Sequence, residues 1–193
     1  VPLMLTNMLQ MLFNAADTVV VGRFAGQQAL AAVGSTGSLC GLIISLFNGL
    51  SVGSNVLIAR YLGSGDYEKI EKSVHTSMTM AMVCGLFLTV IGFFASKPML
   101  ALMATPTDII DMSELYMRIY FVGTFFMLIY NFGAAILRSK GDTKRPLYFL
   151  TIAGVVNVVL NLIFVVAFHM SVAGVALATI ISQAVSAVLV VRS

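Results

Sequence analysis

The chain has 193 residues, of which 59% are hydrophobic and 10% charged, with a mean hydropathy of +0.99. A soluble domain carries about 25% charged residues, so the composition excludes an ordinary aqueous fold. Apolar runs of about twenty residues exclude a β-barrel as well, whose strands are about ten residues of alternating polarity. The basic pI of 9.0 rests on 11 Lys and Arg against 8 Asp and Glu, too small an excess to point to nucleic acid.

Polar punctuation divides the chain into six apolar segments, at about 1–22, 31–59, 74–96, 113–137, 147–168 and 172–191. In lipid each must be a helix, because an exposed backbone finds no water to bond there. The expected fold is therefore all-α, a polytopic membrane bundle of six transmembrane helices. The chain opens on Val1 with no basic stretch or small-residue cleavage site. It is expected to lack its natural start.

The first segment carries Asn7, Gln10, Asn14 and Asp17 at spacings that fall within one arc of about 80°. A polar stripe cannot face lipid, so these residues line either a helix interface or a water-filled cavity, and four polar side chains ending in a carboxylate favour the cavity. Asp17 is the single acidic residue well inside a span. A carboxylate at mid-membrane costs about 2.5–3.5 kcal/mol on insertion scales and marks an ion or substrate pathway by default. In the second segment Gly37, Gly41, Ser45, Gly49 and Gly53 recur every four residues, a pattern expected to let helices approach closely.

Cys40 and Cys84 both fall inside apolar runs, and no Cys or His pair has metal-ligand spacing, so packing is the reading for both. Thr105, Pro106 and Asp108 read as a helix start that runs along the outer surface before the fourth crossing. The fourth segment places Tyr116, Tyr120, Met127 and Asn131 on a broad common face, either a soft wall for amphiphilic ligands or a core stripe. The fifth has Gly154, Asn157 and Asn161 on one face, and the sixth has Thr179, Ser182 and Ser186. Their amide and hydroxyl oxygens, with the Asp17 carboxylate, are hard ligands suited to sodium or to proton exchange. Taken alone, each stripe also reads as interhelical glue.

Eight of the 11 positive residues follow the even-numbered segments: Arg60, Lys69 and Lys72 after the second, Arg138, Lys140, Lys144 and Arg145 after the fourth, and Arg192 after the sixth. By the positive-inside rule those turns, and both chain ends, are expected on the cytoplasmic side. The cavity stripes hold no basic residue, which argues against an anionic substrate.

Five strings, NAADTVVVGRFAGQQALAAVG, GLSVGSNVLIARYLGSGD, ILRSKGDTKRPL, VVNVVLNLIF and GVALATIISQ, occur in that order along the chain. Together they resemble the amino-terminal lobe of the multidrug and toxic compound extrusion (MATE) transporters. The resemblance implies one six-helix lobe of a twelve-helix, two-lobe protein in the bacterial inner (plasma) membrane, with the carboxy-terminal lobe absent from this chain. It implies a secondary antiporter that exports cationic amphiphilic drugs or toxic compounds in exchange for sodium or protons, with no organic cofactor. Asp17 matches the family's first-helix acidic position, while Asn157 and Thr179 match the fifth- and sixth-helix positions of the same proposed ion site, a sodium site by implication. Pro2 matches a proline linked to bending of the first helix, though a proline is also tolerated at a helix start. Many members carry an aspartate where this sequence has Asn161, so the site here has one carboxylate where others have two.

Three other classes compete with the antiporter. A lipid-linked glycan flippase of the same superfamily calls for Arg or Lys in the cavity to meet a pyrophosphate, and the stripes carry none. A passive channel or assembly subunit would pass its solute without an ion gradient. An intramembrane enzyme would need a nucleophile with its base or a metal cluster, and the sequence has no HExxH, P-loop or paired intramembrane carboxylates. Cysteines introduced singly at Ser64 and Gln27 are predicted to be labelled from opposite sides, Ser64 from the cytoplasm. Labelling of both from one face would remove the six-crossing map.

Overall fold

The computed structural model describes residues 2–193, the side chains of Pro2, Leu3, Asn7 and Asn48 excepted. The helices are α1 (Pro2–Val20), α2 (Gln27–Ser64), α3 (Tyr67–Leu102), α4 (Ile110–Ser139), α5 (Lys144–Asn161) and α6 (Ser171–Val191). Two of them run on into π-helical segments: α1 into Val21–Ala25 and α5 into Leu162–Ala167. The described residues contain no strand. Five helices, α2, α3, α4, α5 with its π-helical extension, and α6, are long and apolar enough to cross a membrane. α1 is not among them, since Asn7, Gln10, Asn14 and Asp17 interrupt its apolar run. The chain is thus the helical membrane bundle that its composition predicts.

Tight turns place the helices. Gly65, at φ 72°, ends α2 with its own N–H on the Leu62 carbonyl, while the Asp66 N–H reaches Tyr61. Asp66 then caps α3 by accepting from the Lys69 N–H at 3.2 Å, and the Lys69 ammonium lies 2.6 Å from its other oxygen. The Lys69 hydrogen bonds hold the Asp66 carboxyl below its ordinary range. Between α4 and α5, Gly141 has φ 86° and Asp142 Oδ1 accepts from the N–H groups of Lys144 and Arg145.

At the centre lies α4, packed against α2, α3 and α6, whereas α5 joins α6 on one side and α1 on the other. Its buried residues include Met117, Phe121, Leu128 and Phe132. Close approach is obtained with glycine. A Cβ on Gly92 of α3 would fall 2.1 Å from Phe121 Cγ, and one on Gly85 3.0 Å from the Phe125 Cα. Gly123 and Gly133 of α4 do the same toward Ile180 and Val190 of α6.

Two sequence expectations are corrected here. The α2 glycines do not pack helices together: a Cβ on Gly37, Gly41, Gly49 or Gly53 would meet nothing within 4 Å. Small-residue spacing reports a smooth face, and among the described residues nothing covers this one. Nor does Thr105 cap α4, which starts at Ile110; Pro106 instead belongs to a turn in which its carbonyl accepts from the Ile109 N–H, leaving Asp111 as the first-turn carboxylate. One further string, Gly49-Leu50-Ser51-Val52-Gly53, spells GxSxG but runs through the middle of α2. It lacks the strand-to-helix elbow that exposes a nucleophilic serine. Cys40 and Cys84 remain free thiols.

Gly92→Ala is predicted to lower stability by about 1–3 kcal/mol, the cost of overpacking against the Phe121 ring. Gly41→Ala is predicted to be neutral or slightly stabilising, because the added methyl meets open space and lowers the entropy lost on helix formation. Thermal unfolding followed by helical circular dichroism in detergent checks both; equal losses would contradict the packing assignment.

Candidate ion site between α1, α5 and α6

The site starts from a glycine. At Gly154 of α5 a Cβ would lie 2.0 Å from Cε2 of Phe13, so only its absence admits the Phe13 ring and lets α1 lie against α5. One turn beyond Phe13, Asp17 Oδ1 accepts a hydrogen bond from Asn161 Nδ2 at 2.5 Å. Asn161 Nδ2 also donates to Asn157 Oδ1 at 3.1 Å, the i, i+4 spacing stacking the two amides along α5. Asn157 Nδ2 in turn lies 3.4 Å from Thr179 Oγ1 and 3.5 Å from Ser182 Oγ, both on α6. A single hydrogen-bonded chain therefore runs from the carboxylate of α1, through two amides, to two hydroxyls.

Asn161 is completely buried and Asn157 is 6% exposed. Asn161 Oδ1 is nevertheless without a hydrogen-bond donor, a state that costs about 1–3 kcal/mol. Among the described residues no Lys, Arg or His forms an ion pair with Asp17; the acidic partners of such pairs are Asp66, Glu68, Glu71, Glu114 and Asp142. A carboxylate and an unpaired amide oxygen thus sit side by side on the same interface. A proton on Asp17, or a small cation beside it, could supply the partner that Asn161 Oδ1 lacks.

The remaining sequence-predicted residues are placed less uniformly. Gln10 and Asn14 are exposed and outside the chain of hydrogen bonds; the Asn14 carbonyl accepts from Thr18 Oγ1. The side chains of Pro2 and Asn7 lie outside the described residues. Tyr116 is 8% exposed and packs with Val20, Val21 and Val175, its ring stacked on that of Tyr120 at 5.8 Å between centroids. Tyr120 and Met127 face Thr179 and Gln183 across a narrow cleft between α4 and α6. Asn131, one turn further along α4, is half-buried and not part of that lining. Thr179 consequently borders both the cleft and the Asp17 network. The contact that sequence reasoning missed is Ser182 to Asn157. The serine is visible on the α6 stripe, but periodicity does not tell which of three hydroxyls reaches α5.

Both π-helical segments begin just after this network, at Val21, four residues beyond Asp17, and at Leu162, next to Asn161. They pack on each other and on α6. Such widened turns are frequent at functional sites.

The fold has counterparts among known proteins. The MatE family model matches residues 2–163. The chain is 32% identical over 185 residues to the "Probable multidrug resistance protein YpnP" of Bacillus subtilis (strain 168), covering 96% of this chain and 42% of that one. It is 38% identical over 160 residues to the "Probable multidrug resistance protein YoeA" of the same organism, covering 83% and 35%. A solved structure described as MATE in the bent conformation superposes with a TM-score of 0.93 at 29% identity, over 100% of this chain and 43% of that chain. The chain therefore spans less than half the length of the relatives it matches. The matched span, the relatives and the superposed fold agree that this multi-pass membrane protein belongs to the MATE family, a family of transporters and not of enzymes.

Proposed function

We propose that this chain forms one lobe of a two-lobe exporter that moves cationic amphiphilic compounds outward in exchange for sodium or protons. The observation that carries the coupling role is the unpaired, buried Asn161 Oδ1 beside the Asp17 carboxylate. Asp17, Asn157, Asn161 and Thr179 form the ion site, with one formal negative charge among neutral oxygens. Such a set suits a weakly held monovalent cation that a proton can replace.

Coupling follows when the two open shapes of the carrier differ in affinity for the ion, because a ligand shifts a conformational equilibrium only by its differential affinity. α1 is the element through which the ion acts. It touches the rest of the lobe mainly through α5, so the strength of the Asp17–Asn161 contact sets how firmly α1 is held. The substrate class is supported by the names of the relatives and by the soft Tyr120 and Met127 surface beside Thr179. The same charge distribution supports a plasma-membrane orientation with both ends of the lobe cytoplasmic. In a two-lobe carrier the substrate cleft lies between lobes that rock against each other. The exposed Gln10 and Asn14 of α1 are the residues this lobe contributes to it.

In the assembled transporter, Asp17→Asn is predicted to insert normally and to reduce gradient-driven efflux by about tenfold or more, the scale of a lost coupling free energy. Dye efflux from vesicles under an imposed sodium or proton gradient measures it; wild-type efflux would reduce Asp17 to interhelical glue.

Asn161→Asp is predicted to lower the sodium concentration needed for half-maximal thermal stabilisation by about threefold or more, since it adds a charged ligand. The effect should disappear in combination with Asp17→Asn. An unchanged sodium response at constant ionic strength would separate α5 from the ion site.

A further inference from the structure

Within that ion site, and resting on its reading as one, the direction of the amides is not arbitrary. Asn157 and Asn161 can each be turned about the terminal bond to exchange oxygen for nitrogen, and only one sense leaves an oxygen free for a cation. The hydroxyls of α6 select that sense. Ser182 Oγ donates its one proton to the Thr179 carbonyl at 2.8 Å, and Thr179 Oγ1 donates its own to the Val175 carbonyl at 3.0 Å. With those protons committed to their own helix, both hydroxyls present only lone pairs to α5. They can accept from Asn157 Nδ2 and cannot donate to Asn157 Oδ1.

The constraint then passes along the chain. Asn157, held with its nitrogen toward α6, turns its oxygen to Asn161 Nδ2. Asn161, with both amide hydrogens taken by Asn157 Oδ1 and Asp17 Oδ1, is left with a free, buried oxygen. If Asn157 were reversed, its nitrogen would face Asn161 Nδ2; only a matching reversal of Asn161, which sets Asn161 Oδ1 against the Asp17 carboxylate, would restore a donor–acceptor pair, and it would consume that oxygen. We infer that Ser182 is a positioning residue for the ion site: from α6 it holds the Asn157–Asn161 relay in the sense that keeps Asn161 Oδ1 available to sodium beside Asp17. Ser182 is 4% exposed, so no solvent molecule replaces its lone pairs without entering the packed interface.

Residue 161 also supplies the control. An aspartate there has oxygen at both side-chain positions, so the sense of the relay ceases to matter. The experiment measures the sodium concentration for half-maximal thermal stabilisation, at constant ionic strength, in four forms of the chain: unaltered, Ser182→Ala, Asn161→Asp and the double variant. Ser182→Ala is small and helix-favouring, and its melting midpoint without sodium should stay near that of the unaltered chain. The expected result is an increase in the sodium requirement of about fivefold on Ser182→Ala in the Asn161 background and no increase in the Asn161→Asp background. An equal increase in both backgrounds makes Ser182 a ligand or a packing residue and overturns the inference. So does a sodium response untouched by Ser182→Ala, which leaves the ion site itself standing. Absence of any sodium response in the unaltered chain also overturns it, and in that case Asp17→Asn efflux decides separately whether the wider reading survives.

Discussion

The hydrogen bond from Asn161 Nδ2 to the Asp17 carboxylate is the contact on which the arrangement of this bundle turns. α1 has no broad seam with α2, α3 or α4; its main neighbour is α5. A carboxylate carried into that environment must either find donors or stay protonated. One amide on α5 provides the donor, and the same amide ties the carboxylate to α6 through Asn157. Packing admits α1 to this position through the space left by Gly154, but the polar contact fixes which residues face one another.

Apolar packing and polar recognition are divided between different helices. Around α4, the glycines of α3 and α4 let aromatic rings and branched chains seat at contact distance, and the charges in that seam, Lys97, Glu114 and Arg118, are paired with one another. On the far side, α1, α5 and α6 meet through a chain of hydrogen bonds whose last acceptor is unsatisfied. A close-packed interface tends to have one arrangement. An interface with an open acceptor next to a carboxylate is left incompletely satisfied.

How much of this was legible in the sequence depends on what periodicity can report. Each apolar segment of the sequence overlaps one helix of the structure, because apolar length in a membrane leaves the backbone no alternative. Spacing put Asn157 and Asn161 on one face, and Thr179 and Ser182 on another, since positions three or four apart on a helix are neighbours whatever surrounds them. Whether those faces meet is a tertiary matter, and the α2 glycines show the limit. Their four-residue spacing is as regular as any contact motif, yet nothing among the described residues lies against them, while Gly154, which does receive a neighbour, sits in no such run. Gln10 and Asn14 share a helical arc with Asp17 and still take no part in its hydrogen bonds, because an arc of about 80° is wide enough to span two different surroundings. At Thr105 a sound local signal for a helix start was overruled by a turn closed on Pro106.

The π-helical segments after Asp17 and Asn161 give the polar half a further property. A π turn holds its hydrogen bonds at i+5 where an α turn holds them at i+4, so it contains one residue more than the regular helix needs. Taking up or giving back that residue rotates everything beyond it by about 100° without breaking the rod. In α1 the segment after Asp17 carries Arg23 and Phe24, and in α5 the segment after Asn161 carries Phe164 and Val165. The extra residue in each segment therefore sets which faces those helix ends present, and the two segments present them to each other.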